Sequence, residues 1–345
     1  MKPRHRREDR RADETNREPQ ASRKGQLVIH YRSFKNPDPP LLAEVWNTCL
    51  SGPRTVTIPA RSTGLLEYFT LAKPYFDPEG MVLAFDDGRP VGLAHLGFAS
   101  TPNEKALDYQ VGVICSLGVI PSHRGQGIGS ELLRRVEAYA QGRGAKRVVA
   151  GPAWPANPFT FGLYGGSNSA GFLAAQEGGA RQFFEKHGYR LVRTISIQSR
   201  SLKRTFLPTD PRFLGIHPKH DIVGAPLSRA SWWRECVLGP IEAVEYRLQE
   251  KRGQAVVGRV VLWDMATFSM NWGESAVGLL DMEVRADLRR QGLGKYLLAQ
   301  VLMHLHHQTF DRFEVCVDTS NAAMLGLLHG LGFEQVEMGH CFEKP

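Results

Sequence analysis

The chain states one short pattern twice. Ser116-Leu-Gly-Val-Ile-Pro-Ser-His-Arg-Gly-Gln-Gly-Ile-Gly129 returns as Asp281-Met-Glu-Val-Arg-Ala-Asp-Leu-Arg-Arg-Gln-Gly-Leu-Gly294. Each is an apolar strand, a short polar turn, then Arg-x-x-Gly-x-Gly opening a helix. The helices repeat their apolar faces position for position. Ile128, Leu132, Leu133, Val136 and Ala140 correspond to Leu293, Leu297, Leu298, Val301 and Leu305, each 165 residues on. A fixed offset this long means duplicated domains, because solenoid repeats have periods of about 20–50 residues. The length of 345 residues suits two domains of about 150 residues each.

The loop's chemistry follows from its backbone. It sets several N–H groups at a helix N-terminus with no Cβ in the way. Those donors and the helix dipole favour a phosphate or pyrophosphate. A Walker loop needs Gly-Lys-Ser/Thr, which neither Gly129-Ser130 nor Gly294-Lys295-Tyr296 supplies. A dinucleotide fold wants an acid about 20 residues on, where this chain reads Lys146-Arg-Val-Val-Ala-Gly-Pro152. Glycines that only permit tight strand–helix packing would explain one such loop. A second copy with the same leading arginine argues for an anionic ligand, with a nucleotide cofactor the natural candidate.

The remaining sequence fits two copies of the order β-β-β-loop-α-β-α-β. In the first, Leu27–Arg32 alternates as a strand, Pro39-Pro40 opens an amphipathic helix, and Asp86-Asp87-Gly88-Arg89 marks a hairpin. The prolines of residues 203–227 suggest a linker, which gives domains at 26–202 and 228–345. From Gly188 to Gly332 the offset drops to 144, so the first copy carries 21 extra residues within 151–179. That stretch is aromatic and nearly uncharged. A loop this long is expected to be functional, and Phe161, Tyr164 and Asn168 are its substrate-binding candidates; packing or dimer contact is the alternative.

Net charge is +8, and residues 1–25 carry nine Lys/Arg against five Asp/Glu with almost no large apolar side chains. The expectation is a disordered basic arm, either a solubilising tail or an electrostatic hold on nucleic acid. The five cysteines lack metal-site spacing, and no apolar run nears the ~18 residues of a membrane span. These features point to a soluble, cytoplasmic protein with free thiols and no metal.

At Leu117, Gly118 and Val119, followed by Arg124, Gly125, Gln126, Gly127, Ile128 and Gly129, the chain resembles the GNAT superfamily of acyl-CoA-dependent N-acetyltransferases. The resemblance repeats at Met282, Glu283 and Val284, followed by Arg289, Arg290, Gln291, Gly292, Leu293 and Gly294. The family's second signature is similar to Asn321-Ala-Ala-Met…Gly332-Phe333 and, more weakly, to Ala180…Gly188-Tyr189. The two-copy layout is similar to that of mycothiol synthases. The resemblance implies an α/β fold of two tandem domains, each a splayed mixed sheet flanked by helices. It implies acetyl-CoA as co-substrate, its pantetheine along 117–119 or 282–284 and its pyrophosphate on the loop N–H groups, with Asn321 among the contacts. A primary amine of a small molecule or protein would enter from the opposite side.

Catalytic groups are less plain. The tyrosine with which many members protonate the leaving thiolate corresponds here to Phe184 and Leu328, neither of which carries a proton to give. Tyr164 is a possible substitute. Strand alternation puts Asp281 and Glu283 on one face as candidate bases, where the first copy has only Ser116 and Gly118. His95 either reaches the cleft or is a satisfied histidine on a half-buried strand. A non-catalytic acyl-CoA-binding module and a nucleic-acid-associated protein acetylase remain as alternatives, with a monomer or homodimer as the assembly.

Overall fold

Strands from both copies join into one continuous sheet. The computed structural model describes residues 28–49, 58, 63–159, 170–174, 179–204, 210–227, 231–239 and 241–345. The first half contains β1 (Ile29–Ser33), α1 (Pro39–Cys49), α2 (Gly64–Leu66) running into a π-turn, β2 (Met81–Asp86), β3 (Arg89–Ser100) and β4 (Leu107–Val119). Then come α3 (Ile128–Gly142), β5 (Arg147–Ala150), a two-residue β6 (Phe172–Leu173), α4 (Ala180–Lys186) and β7 (Arg190–Ser201). The second half contains α5 (Phe213–Ile216), β8 (His220–Pro226), α6 (Trp232–Leu238), β9 (Ala243–Glu250), β10 (Val256–Asp264) and α7 (Ala266–Trp272). It continues with β11 (Ala276–Val284), α8 (Leu293–His307), β12 (Arg312–Asp318), α9 (Ala322–His329) and β13 (Glu334–Lys344).

The repeated apolar positions are the buried faces of α3 and α8. These helices make the crossovers that the parallel pairs β4–β5 and β11–β12 require. The parallel pairing is short in both halves. It covers Val111–Ile114 against Arg147–Ala150, and Ala276–Leu279 against Arg312–Val315. Beyond it the strands part. On the other side of each, the antiparallel ladder skips one residue, Cys115 in β4 and Leu280 in β11. A bulge bends its strand, so the same kink opens the sheet at the same place in each copy.

Strand order is β1-β2-β3-β4-β5-β13-β7-β12-β11-β10-β9-β8, with β6 also on β13. The halves have exchanged their last strands: β13 sits between β5 and β7, and β7 pairs with β12. The exchange is symmetric in register. Ile195 pairs with Gly339, its own equivalent at the 144-residue offset. Ala150–Phe342 and Val315–Gln198 are likewise equivalent pairs. A local two-fold axis therefore passes between β7 and β13. Residues 203–227 are not simply a linker: they supply α5 and the edge strand β8. Proline is tolerated there because Pro226 closes an edge strand, where a missing N–H costs least.

Candidate functional site

The kink in β4 and the start of α3 enclose a cleft of about 400 Å³ in the first half. Leu117, Gly118 and Val119 form one wall, Arg124 to Ser130 without Gln126 the floor, and Phe183, Phe184, Lys186 and His187 the other wall. Gly127 stands at the N-cap with φ 84° and no side chain caps the helix, so the first-turn N–H groups are available to an anion. Gly125 has φ 75°. A Cβ on Gly125 or Gly127 would meet no atom within 4 Å, so the glycines leave open space above the loop. Arg124 ties the loop to the strand through Nε, which donates to the Val119 carbonyl at 2.9 Å.

The cleft's charge suits the same ligand. Arg124 and Lys186 line it, and no carboxylate is among the described lining residues. His187 donates from Nδ1 to the Phe183 carbonyl at 2.7 Å, which leaves Nε2 to accept from the Ser130 hydroxyl at 3.0 Å. Cys49, at the end of α1, also faces the cleft, and burial pushes its thiol up to about 11.

The second loop has the same skeleton under a cover. Gly292 caps α8 at φ 88°, and Arg289 Nε donates to the Val284 carbonyl at 3.0 Å. Arg290 stands where the first half has Gly125 and adopts φ 68°, a conformation that costs a side-chain-bearing residue roughly 1–2 kcal/mol. Gln291 is exposed and Leu293 buried. Over this loop lies the segment before α5. Arg212 Nε stands 3.1 Å from where a Cβ on Gly292 would be. Its guanidinium grips Asp210 at 2.9 and 2.7 Å, and Lys295 reaches the same carboxylate at 3.3 Å. The Met282 and Leu327 side chains crowd Gly294. An internal ion pair thus covers the place that is open in the first half.

The expected catalytic carboxylates, Asp281 and Glu283, share one face of β11. Arg259, from β10, donates to Asp281 at 2.6 Å and to Glu283 at 3.3 Å. Their side chains are 37% and 58% exposed, the setting of a surface ion-pair cluster rather than of a sequestered base. Asn321 is exposed and caps α9, its side chain accepting from Met324 N–H at 3.1 Å. Phe184 and Leu328 are both buried; Phe184 stacks on Phe172 and on Phe342 of the exchanged strand. Phe161, Tyr164 and Asn168 lie outside the described residues, as does the basic arm. The cover formed by Asp210 and Arg212 had no signal in the sequence, since only tertiary packing brings it to the loop.

The sequence profile of the acetyltransferase (GNAT) family matches residues 46–164 and 229–333. Solved structures with the same fold include a tandem GNAT protein from the clavulanic acid biosynthesis pathway, 15% identical, TM-score 0.62, covering 92% of this chain and 98% of that one. A GCN5-related N-acetyltransferase from Sphaerobacter thermophilus is 17% identical, TM-score 0.61, with 92% and 96% covered. A glucosamine N-acetyltransferase region of a fungal multi-domain GH3 β-N-acetylglucosaminidase is 16% identical at TM-score 0.67; it covers 93% of this chain, which spans only 38% of that one. No curated protein matches the sequence. Among the described residues, no helix is long and apolar enough to cross a membrane and no cluster has metal-site composition.

Proposed function

Because the chain belongs to the GNAT acetyltransferase family, we propose that it transfers the acetyl group of acetyl-CoA to a primary amine, and that the first half alone holds the donor. The observation that carries this reading is the contrast between the loops. Gly125 and Gly127 face open space, whereas Arg212 lies on Gly292. In this reading the N–H groups around Gly127 and Gly129, with Arg124 and Lys186, hold the pyrophosphate. The backbone of Leu117–Val119, freed from β5 by the kink, takes the pantetheine and steadies the oxyanion.

Acetyl-CoA supplies a thioester carbon open to attack by an amine. The amine's nitrogen forms the new C–N bond, the C–S bond breaks, and the amine's proton must go to a neighbouring group or water. A thiol of pKa ~8.5 leaves tolerably as thiolate, so a buried phenylalanine in place of the family tyrosine lowers the rate without forbidding the reaction. Glu283, exposed and held by Arg259, has no part in this scheme. Phe184 and Leu328 also favour a second reading, a non-catalytic acyl-CoA-binding protein.

Calorimetry on the full chain tests the placement. One acetyl-CoA per chain is expected, lost in Gly127→Val, where a side chain would stand in the anion's approach, and retained in Gly292→Val. Two sites per chain, or binding that survives Gly127→Val, would overturn it. Release of free thiol in the presence of an amine panel separates the enzyme from the binding module.

A further inference from the structure

Beside the cleft lies a smaller cavity of about 30 Å³, lined by residues that include Trp46, Thr70, His95, Cys115, Ser116 and Phe159. It has room for one water-sized polar group. His95 is only 3% exposed. Its ring packs against Phe159 at 4.3 Å and edge-on to Phe76 at 5.8 Å. Nε2 is buried with no hydrogen-bond partner among the described residues. Folded proteins rarely leave such an atom unpaired, and the side chain that carries it lines this cavity, which points to a ligand.

The strand register says what that ligand meets. His95 pairs with Ser116 across β3 and β4, and Leu93 pairs with Gly118. Ser116 and Gly118 are successive residues on one face of β4; Ser116 lines the small cavity and Gly118 the large cleft. The cavity therefore adjoins the stretch of β4 assigned above to the donor. Its polar groups carry no negative charge. Thr70 donates to the Phe159 carbonyl at 3.4 Å, and burial pushes the Cys115 thiol up to about 12. No carboxylate is among the described lining residues. An ammonium ion brought here would lose its water and find no counter-charge among the described lining residues.

We propose that this cavity receives the acceptor's nitrogen as an uncharged, weakly basic amine, such as an arylamine or hydrazine, whose N–H donates to His95 Nε2. The proposal rests on acetyl-CoA occupying the adjoining cleft. As the nitrogen bonds to the thioester carbon and the C–S bond breaks, the N–H proton passes to Nε2 and then to the departing thiolate or to water. Burial pushes the His95 pKa down to about 3, so the ring stands neutral with Nε2 free to accept a hydrogen bond. It takes the proton only once bonding to the thioester carbon has made the nitrogen acidic, and does not keep it.

Phenylhydrazine and benzylamine have nearly one shape and differ in basicity, which makes them the test pair. Thiol release by the full chain with acetyl-CoA at pH 7 should favour phenylhydrazine in kcat/KM by about 100-fold or more, because benzylamine is mostly protonated there. The gap should close as pH rises. His95→Phe keeps the ring packing and removes the acceptor. It should lower kcat by ~10²–10⁴-fold, leave acetyl-CoA affinity at the parental value, and leave Tm unchanged or higher, since the orphan polar atom is gone. His95→Gln, which can accept the hydrogen bond but not the proton, should restore KM for phenylhydrazine while kcat stays low; it carries the test should His95→Phe misfold. Benzylamine preferred at pH 7, or parental kcat in either variant, would overturn the proposal. Absence of acetyl-CoA binding in the parent, read separately by calorimetry, would overturn the donor assignment beneath it.

Discussion

His95 ties stability to function at a single ring. Its pKa is about 3 in the fold against 6.5 for the free side chain, so the folded value lies below the unfolded one. Between those values the unfolded chain takes up a proton that the folded chain refuses. Stability is therefore unaffected above about pH 6.5 and is lost as pH falls through that window, by at most about 1.4 kcal/mol per pH unit. His95→Phe should remove that share of the acid sensitivity. Urea denaturation of parent and variant at pH 7.5 and pH 5 checks this: the variant's relative stability should be greater at pH 5. An equal difference at both values would mean that the histidine is not held neutral by burial. The same residue scale shows why the loops diverged in use. Gly125 and Arg290 share a left-handed backbone, but only the glycine leaves the loop bare.

Among the elements, α6 has the firmest task. Ser231 accepts from Arg234 N–H at its N-terminus, and Lys73 of the first half donates to the Cys236 and Val237 carbonyls near its C-terminus. Trp233 is fully buried, stacks on Tyr75 at 5.4 Å, and donates from Nε1 to the Pro155 carbonyl at 3.2 Å. Trp233→Ala should cost about 3–5 kcal/mol and lower the urea midpoint; a loss below 1 kcal/mol would show that α6 does not hold the halves together. This helix was not legible in the sequence. It has seven residues, too few to form without its tertiary surroundings. The elements that could be read were those whose pattern is local: the repeated faces of α3 and α8, and the Asp86–Arg89 hairpin, where Asp87 and Gly88 both have positive φ. The glycine loops were legible for the same reason. The cover at Arg212 and the cavity at His95 were not, because each depends on which distant residues the fold brings near.

At the scale of the molecule, the second half serves the first half's cleft through a strand rather than through its own loop. β13 fills the slot between β5 and β7, and its Phe342 stacks on Phe184, a residue of the cleft wall. Arg147–Glu343 and Lys344–Glu137 ion pairs fix the same strand to the first half. Without β13, β5 and β7 would each present unpaired backbone groups along an inner edge, a template for pairing with other chains. Residues 1–204 expressed alone should therefore not yield a folded monomer that binds acetyl-CoA. They should aggregate or form a homodimer in which the partner's β7 takes the place of β13, since the register is symmetric about Ile195 and Gly339 and a two-fold interface is self-complementary. Co-expression with residues 205–345 should restore a one-to-one complex and acetyl-CoA binding. Analytical ultracentrifugation with calorimetry decides between these outcomes. A monomeric 1–204 with parental affinity would show that the exchanged strand is dispensable, and that the second half is retained for something other than completing the sheet.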